Sequence, residues 1–135
     1  MPKSYSDLLR EARAAVPEIA PRETNDRRAA GTLTIIDVRE VEEWEQGFVP
    51  DALHIGRGYL EMNIEAFIPE RDRPMALYCS SEIRSYFAAR DLKAMGYQDV
   101  SVISGGFNAW KSAGLPWSMP VALTSEQKIR YSRHL

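Results

Sequence analysis

The chain has 135 residues, enough for one compact domain with a buried core and too few for two ordinary ones. Its 44% apolar and 27% charged residues are globular proportions, and 17 basic against 19 acidic side chains leave a net charge of −2. That balance, with scattered basic residues, predicts no strong attraction to nucleic acid or to an anionic membrane.

In chain order, Ser4 to Asp7 reads as a helix start of the Ser-x-x-Asp type, with Leu8, Ala12 and Ala15 on one face. Pro17 and Pro21 break the chain, and Pro21 to Arg28 forms a short second helix before a turn at Gly31. Leu33 to Val38 is a buried strand, and Glu40 to Gln46 a short helix with Val41 and Trp44 inward. Gly47 stops that helix, and Ala52 to Ile55 is a brief strand. Arg57 to Ile68 is helical, with Leu60, Ile64 and Phe67 or Ile68 inward. Met75 to Tyr78 is a second buried strand, and Cys79 stands at its carboxyl end. A helix over about Ser85 to Met95, a strand at Val100 to Ile103, a Gly105-Gly106 turn and a helix over Phe107 to Lys111 complete the pattern.

Strands alternating with helices predict an α/β fold with a central, mostly parallel sheet and helices on both faces. Apolar runs fall far short of the roughly 20 residues that span a bilayer, and the N-terminus has no signal-peptide core, so cytoplasmic residence is expected.

Cys79 is the single cysteine, which excludes an intramolecular disulfide. With only His54 and His134 beside it, no metal site built by the protein is expected. A lone cysteine is either a small buried hydrophobe or a reactive thiol. Its surroundings favour the second. Tyr78-Cys79-Ser80-Ser81-Glu82-Ile83-Arg84-Ser85 joins a buried strand to a helix, where several N–H groups lack partners and aim at one place. The helix dipole and the charge of Arg84 add positive potential, so a thiolate at the centre is stabilised and can attack a sulfane sulfur.

The motifs around this loop carry a resemblance. Asp37-Val38-Arg39-Glu40 followed by Gly47-Phe48-Val49-Pro50-Asp51-Ala52 resembles the first signature of the rhodanese-like sulfurtransferases, D-V-R-E…G-H-I-P-G-A, with departures at Phe48, Val49 and Asp51. Cys79 to Ser85 resembles their C-x-x-G-x-R-S loop, and Gly105 to Trp110 with Gly114-Leu115-Pro116 their closing G-G-x-x-A-W…G-x-P. The resemblance covers about Ser4 to Pro116 and implies a rhodanese-like fold. It implies Cys79 as persulfide carrier, the backbone of Ser80, Ser81, Glu82, Ile83, Arg84 and Ser85 as its cradle, and no cofactor in this chain. Arg84 would orient the loop or bind anions, and Ser85 would open the next helix. Asp37 and Arg39 would brace the loop or form an ordinary ion pair, and Arg57 would sit at the pocket mouth or be a solvated charge. His54, within an apolar stretch, is expected to serve packing.

Glu82 stands where the family has glycine. The expectation is a left-handed backbone adopted at a cost, and an outward carboxylate that weakens thiosulfate binding and suits a protein persulfide donor. Two rivals stand beside this reading. Dual-specificity phosphatases of the same fold place five residues between cysteine and arginine, whereas four intervene here. A non-catalytic rhodanese module that binds or regulates a partner is the other.

Residues 118–135 read as a linker and the start of a second domain, after a first over 1–117. Leu123-Thr124-Ser125-Glu126-Gln127-Lys128-Ile129-Arg130-Tyr131-Ser132-Arg133-His134-Leu135 resembles the opening of adenylyltransferases that activate sulfur-carrier proteins in thiamine and molybdopterin biosynthesis. The partners this implies are a sulfane-sulfur donor (thiosulfate or a desulfurase persulfide), a sulfur-carrier protein, and an adenylyltransferase domain in cis.

Overall fold

The computed structural model of the chain describes residues 1–120. The adenylyltransferase-like motif at residues 123–135 lies outside the described residues.

Helix α1, Tyr5–Ala15, begins at the expected cap: Ser4 Oγ accepts from the Asp7 N–H at 3.1 Å, and Asp7 accepts from the Ser4 N–H at 2.9 Å. Its inner face differs from expectation. Ala12 is buried and Leu9 packs on the core, whereas Leu8 and Ala15 are exposed. Strand β1, Glu18–Ile19, follows; two residues are too short to show a period in the sequence. Helix α2, Pro21–Ala29, carries its proline in the first turn, where no N–H is needed.

Strands β2 (Thr34–Asp37), β3 (Leu53–His54), β4 (Met75–Tyr78) and β5 (Val100–Ile103) join β1 in one all-parallel sheet of order β1-β5-β4-β2-β3. The central strands are covered on both faces, so their residues are apolar in succession instead of alternating. Alternate side chains nevertheless enter two separate cores. Ile36, Met75, Leu77 and Cys79 belong to the one shared with α1, with α4 (Leu60–Phe67) and with α5 (Ile83–Ala94). Ile35, Ala76 and Tyr78 belong to the one shared with Phe107 and Trp110 of α6, Gly106–Ser112.

The expected single helix over Arg57 to Ile68 is a tight turn, Arg57–Tyr59, running into α4. Leu60, Ile64 and Ile68 are fully buried and Phe67 is exposed, which settles the inward face. Short helix α3, Val41–Trp44, follows β2 and buries Trp44, which stacks on Phe48 and His54. Beyond α6, Ser118 and Phe48 exchange backbone hydrogen bonds of 2.8 and 2.9 Å. Among the described residues no helix is long and apolar enough to cross a membrane. The carboxyl ends of all five strands share one edge of the sheet, and Cys79 follows β4 near its middle.

Candidate active site

Two turns, not one, build the loop at Cys79. The Phe107 N–H donates to the Cys79 carbonyl at 2.8 Å, and the Asn108 N–H to the Ser80 carbonyl at 3.1 Å. Gly106 comes so close that a Cβ there would lie 2.2 Å from the Ser81 carbonyl oxygen and 2.5 Å from that of Cys79. The carbonyls of residues 79–81 therefore crowd the start of α6. In a planar trans peptide the N–H points opposite to the C=O, so the amides of Ser80, Ser81 and Glu82 face away from α6. The Cys79 side chain does the same, because it belongs to the core on the other side of the sheet from Phe107. The first hydrogen bond closing the turn at the start of α5 runs from the Tyr86 N–H to the Glu82 carbonyl, which leaves the N–H groups of Ile83 to Ser85 outside the helical pattern. The thiol and the amides of Ser80, Ser81 and Glu82 thus lie on one side of the loop. Cys79 itself is only 1% exposed, while Ser81 and Ile83 at the rim are exposed.

Arg84 lies in the first turn of α5, and its planar fork is occupied. Nη1 donates to Glu43 Oε1 at 2.6 Å and Nη2 to Glu43 Oε2 at 2.9 Å, with a further contact from Nη2 to Ser80 Oγ at 3.2 Å. Ser80 Oγ donates to Glu43 Oε2 at 2.7 Å, and the Glu40 N–H to Oε1 at 3.0 Å. The Arg84 guanidinium, with some opposition from burial and with help from Ser80, holds the Glu43 carboxyl down at about 2. Glu43 in turn raises Arg84 above its usual value.

Beneath the loop sits a second, buried ion pair. Arg39 reaches Asp37 through its backbone N–H and Nε at 2.9 and 3.0 Å and through Nη2 at 2.8 Å, and Nη2 also donates to the Gly47 carbonyl at 2.7 Å. The Tyr78 hydroxyl donates to Asp37 Oδ2 at 2.7 Å and accepts from the Val49 N–H at 3.1 Å. Burial, with the Asp37 charge beside it, pushes that hydroxyl far above the ordinary tyrosine range, so it remains a donor. Since Tyr78 precedes Cys79 and the Arg39 guanidinium lies 4.5 Å from the Phe107 ring centroid, the pair supports both turns that form the loop.

Glu82 corrects two expectations. Its φ of −145° is not left-handed, since α5 begins directly after it; Asp51, φ 67°, is the only non-glycine residue with positive φ among those described. Nor does its carboxylate point outward. It accepts from the Gly105 N–H at 3.1 Å, lies 3.7 Å from Arg13, and is raised above the usual glutamate range by a hydrogen bond with Glu18 and by burial. Ser85 does not open α5, which begins at Ile83; it is buried in the first turn with its hydroxyl unpartnered. Arg57 pairs with Glu61 at 2.7 Å and with Asp91, contacts on α4 and α5, not on the Cys79 loop. His54 Nε2 lies 2.7 Å from the Arg39 carbonyl, consistent with packing.

A model of the rhodanese-like domain matches residues 20–113, a span that holds the Cys79 loop, the Asp37–Arg39 pair and Gly106. The chain belongs to this family. An Allochromatium vinosum protein named sulfurtransferase is 36% identical to this rhodanese-like chain over 100 residues, 73% of the chain and 92% of the relative. The Coxiella burnetii thiosulfate sulfurtransferase GlpE is 30% identical over 80 residues, 59% and 73% of the two. Among solved structures, a Rhodopseudomonas palustris protein of unknown function, described as a possible tyrosine phosphatase, superposes with a TM-score of 0.78 at 29% identity, covering 87% of this chain and 99% of that one.

Sequence reasoning about this rhodanese-like domain missed Glu43 and the clamp by Gly106. Glu43 carried a local sign, since it closes a reciprocal cap with Glu40 across α3, but nothing local shows that it reaches Arg84, 41 residues on. Gly106 was read as a turn residue; that it must also lack a side chain is a tertiary fact.

Proposed function

We propose that this rhodanese-like domain is a sulfurtransferase that carries sulfur as a persulfide on Cys79. The observation that supports this reading is the shared side of the loop: the Cys79 thiol and the amides of Ser80 to Glu82 face the same way, with the carbonyls of residues 79–81 turned to α6, and the N–H groups of Ile83 to Ser85 follow them at the open start of α5. A thiolate there attacks the outer sulfur of a donor. The donor's S–S bond breaks, and the remainder leaves with the electron pair, as sulfite from thiosulfate or as a thiolate from a persulfide. The amides then hold the persulfide anion until an acceptor nucleophile takes the outer sulfur and regenerates the Cys79 thiolate. The names of the Allochromatium and Coxiella relatives agree with this chemistry. The wording of residues 123–135 supports delivery to a sulfur-carrier protein activated by an adenylyltransferase domain in cis.

The near-complete burial of Cys79 favours a second reading, a rhodanese-like module that binds a partner without turnover. One experiment separates the two. Intact mass is measured after incubation with thiosulfate or with a persulfidated cysteine desulfurase, beside a Cys79→Ser control. A gain of one sulfur on the wild type alone, removed by reductant, is expected; no gain from either donor favours the binding module.

A further inference from the structure

The loop's one full positive charge is already spoken for. Arg84 spends its planar fork on the two oxygens of Glu43, and Ser80 and the Glu40 N–H fix that carboxylate in place. Glu43 stays ionised, because Arg84 holds it at about 2. The two side chains are 38% and 31% exposed, and both bond to Ser80, the residue after the buried Cys79, so a charged donor at the loop meets their field. A dianion such as thiosulfate gains from a free guanidinium there and loses from a carboxylate. Here the fork is filled and the net charge of the pair is zero. A thiol persulfide carries at most one negative charge at its sulfurs and gains correspondingly less from such a cation.

We propose that Glu43 is the residue that sets donor choice, by occupying Arg84 so that the site favours thiol persulfides over thiosulfate. This rests on the sulfur-transfer reading and adds the donor class to it. In the favoured step the Cys79 thiolate attacks the outer sulfur of R–S–SH, the S–S bond breaks, and R–S⁻ leaves with the electron pair and takes up a proton from water. Cys79 is left as the persulfide, with no outside oxidant or reductant consumed.

The test compares loading of Cys79 from three donors in wild type and Glu43→Gln: thiosulfate, the persulfide of N-acetylcysteine amide, and a cysteine desulfurase carrying its own persulfide. In the wild type, kcat/KM is expected to be higher for the persulfides than for thiosulfate. Glu43→Gln removes one unit of negative charge beside the dianion's path. The ratio of kcat/KM for thiosulfate over the small persulfide is therefore expected to rise about tenfold, mainly through KM. Whichever persulfide loads faster identifies a protein or a small-molecule source, and either order supports the proposal. Thiosulfate outrunning both in the wild type, or a ratio unmoved by Glu43→Gln, overturns it while leaving sulfur transfer intact. No loading of the wild type from any donor overturns both. If Glu43→Gln does not fold, Glu43→Asp decides in its place: the shorter side chain keeps the charge but draws back from Arg84, the same ratio is expected to rise, and an unmoved ratio overturns the proposal.

Discussion

Gly106→Ala tests the clamp on the Cys79 loop. The glycine has φ 59°, and an added Cβ would lie 2.2 Å from the Ser81 carbonyl oxygen, 2.5 Å from that of Cys79 and 2.9 Å from the Ser80 carbonyl carbon. All three are backbone atoms, so nothing flexible can move aside. A side chain at such a φ costs about 1–2 kcal/mol. Relieving the overlap pulls the loop from α6 and weakens the bonds from Phe107 to Cys79 and from Asn108 to Ser80, each contributing about 1 kcal/mol. The expected loss is about 3–4 kcal/mol, which a domain with 5–15 kcal/mol of stability survives. Gly114→Ala is the matched control. Its φ is 73° and its Cβ would meet nothing within 4 Å, so it bears the backbone cost alone, about 1–2 kcal/mol. Urea unfolding of both variants reads the difference as a shift in midpoint at unchanged slope. Sulfur loading followed by mass reads the second consequence: displacing the amides by about 1 Å lowers the rate roughly 100-fold in Gly106→Ala and leaves Gly114→Ala near wild type. Equal midpoints and equal loading rates in the two variants would refute the clamp.

Tyr78→Phe removes a buried donor to Asp37 and the acceptor of the Val49 N–H, and is expected to cost about 1–3 kcal/mol by urea unfolding; a loss below about 0.5 kcal/mol contradicts the network. Glu43, lowered from 4.5 to about 2 in the folded chain, adds stability that is complete above about pH 4.5 and lost as pH falls through about 2. Acid titration of Glu43→Gln, followed by circular dichroism, should therefore show a shallower decline across that window than wild type. Glu82 has the opposite sign: its raised value means that stability falls as pH climbs above the ordinary glutamate value of 4.5. Glu82→Gln keeps an acceptor for the Gly105 N–H and is expected to melt higher than wild type at pH 7, with the advantage gone at pH 4.

Much of this was legible along the chain because burial on both faces leaves a plain signal. Val100 to Ile103 is the strand its β-branched run predicts, and Cys79 follows Met75–Tyr78 as expected. The expected Leu33 to Val38 strand shrinks to Thr34–Asp37; Val38 still bonds Tyr78 and Arg57, but the Arg39 N–H turns back to the Asp37 carboxylate and the ladder ends there. Local patterns fail where partners are distant. Glu43 meets Arg84 across the loop, and Glu82 finds Gly105, 23 residues away, so its direction followed no helical or strand period. The expectation that Glu82 would pay for a left-handed backbone came from the glycine usual at its place, whereas the constraint in this chain falls on Asp51, where the motif also has glycine.

The bonds from Phe107 and Asn108 to consecutive carbonyls have a consequence for how this scaffold can change. They make the loop and α6 a single ratchet, one tooth per residue. An inserted residue between Cys79 and Ser81 would move the Ser80 carbonyl out of step with Asn108 and bring a new atom against Gly106. Widening the loop at that point is therefore no local edit. It needs a compensating shift of the Gly105-Gly106 turn, and through the Gly105 N–H a new seat for Glu82. The first half of the loop is thereby inherited with the turn that follows β5.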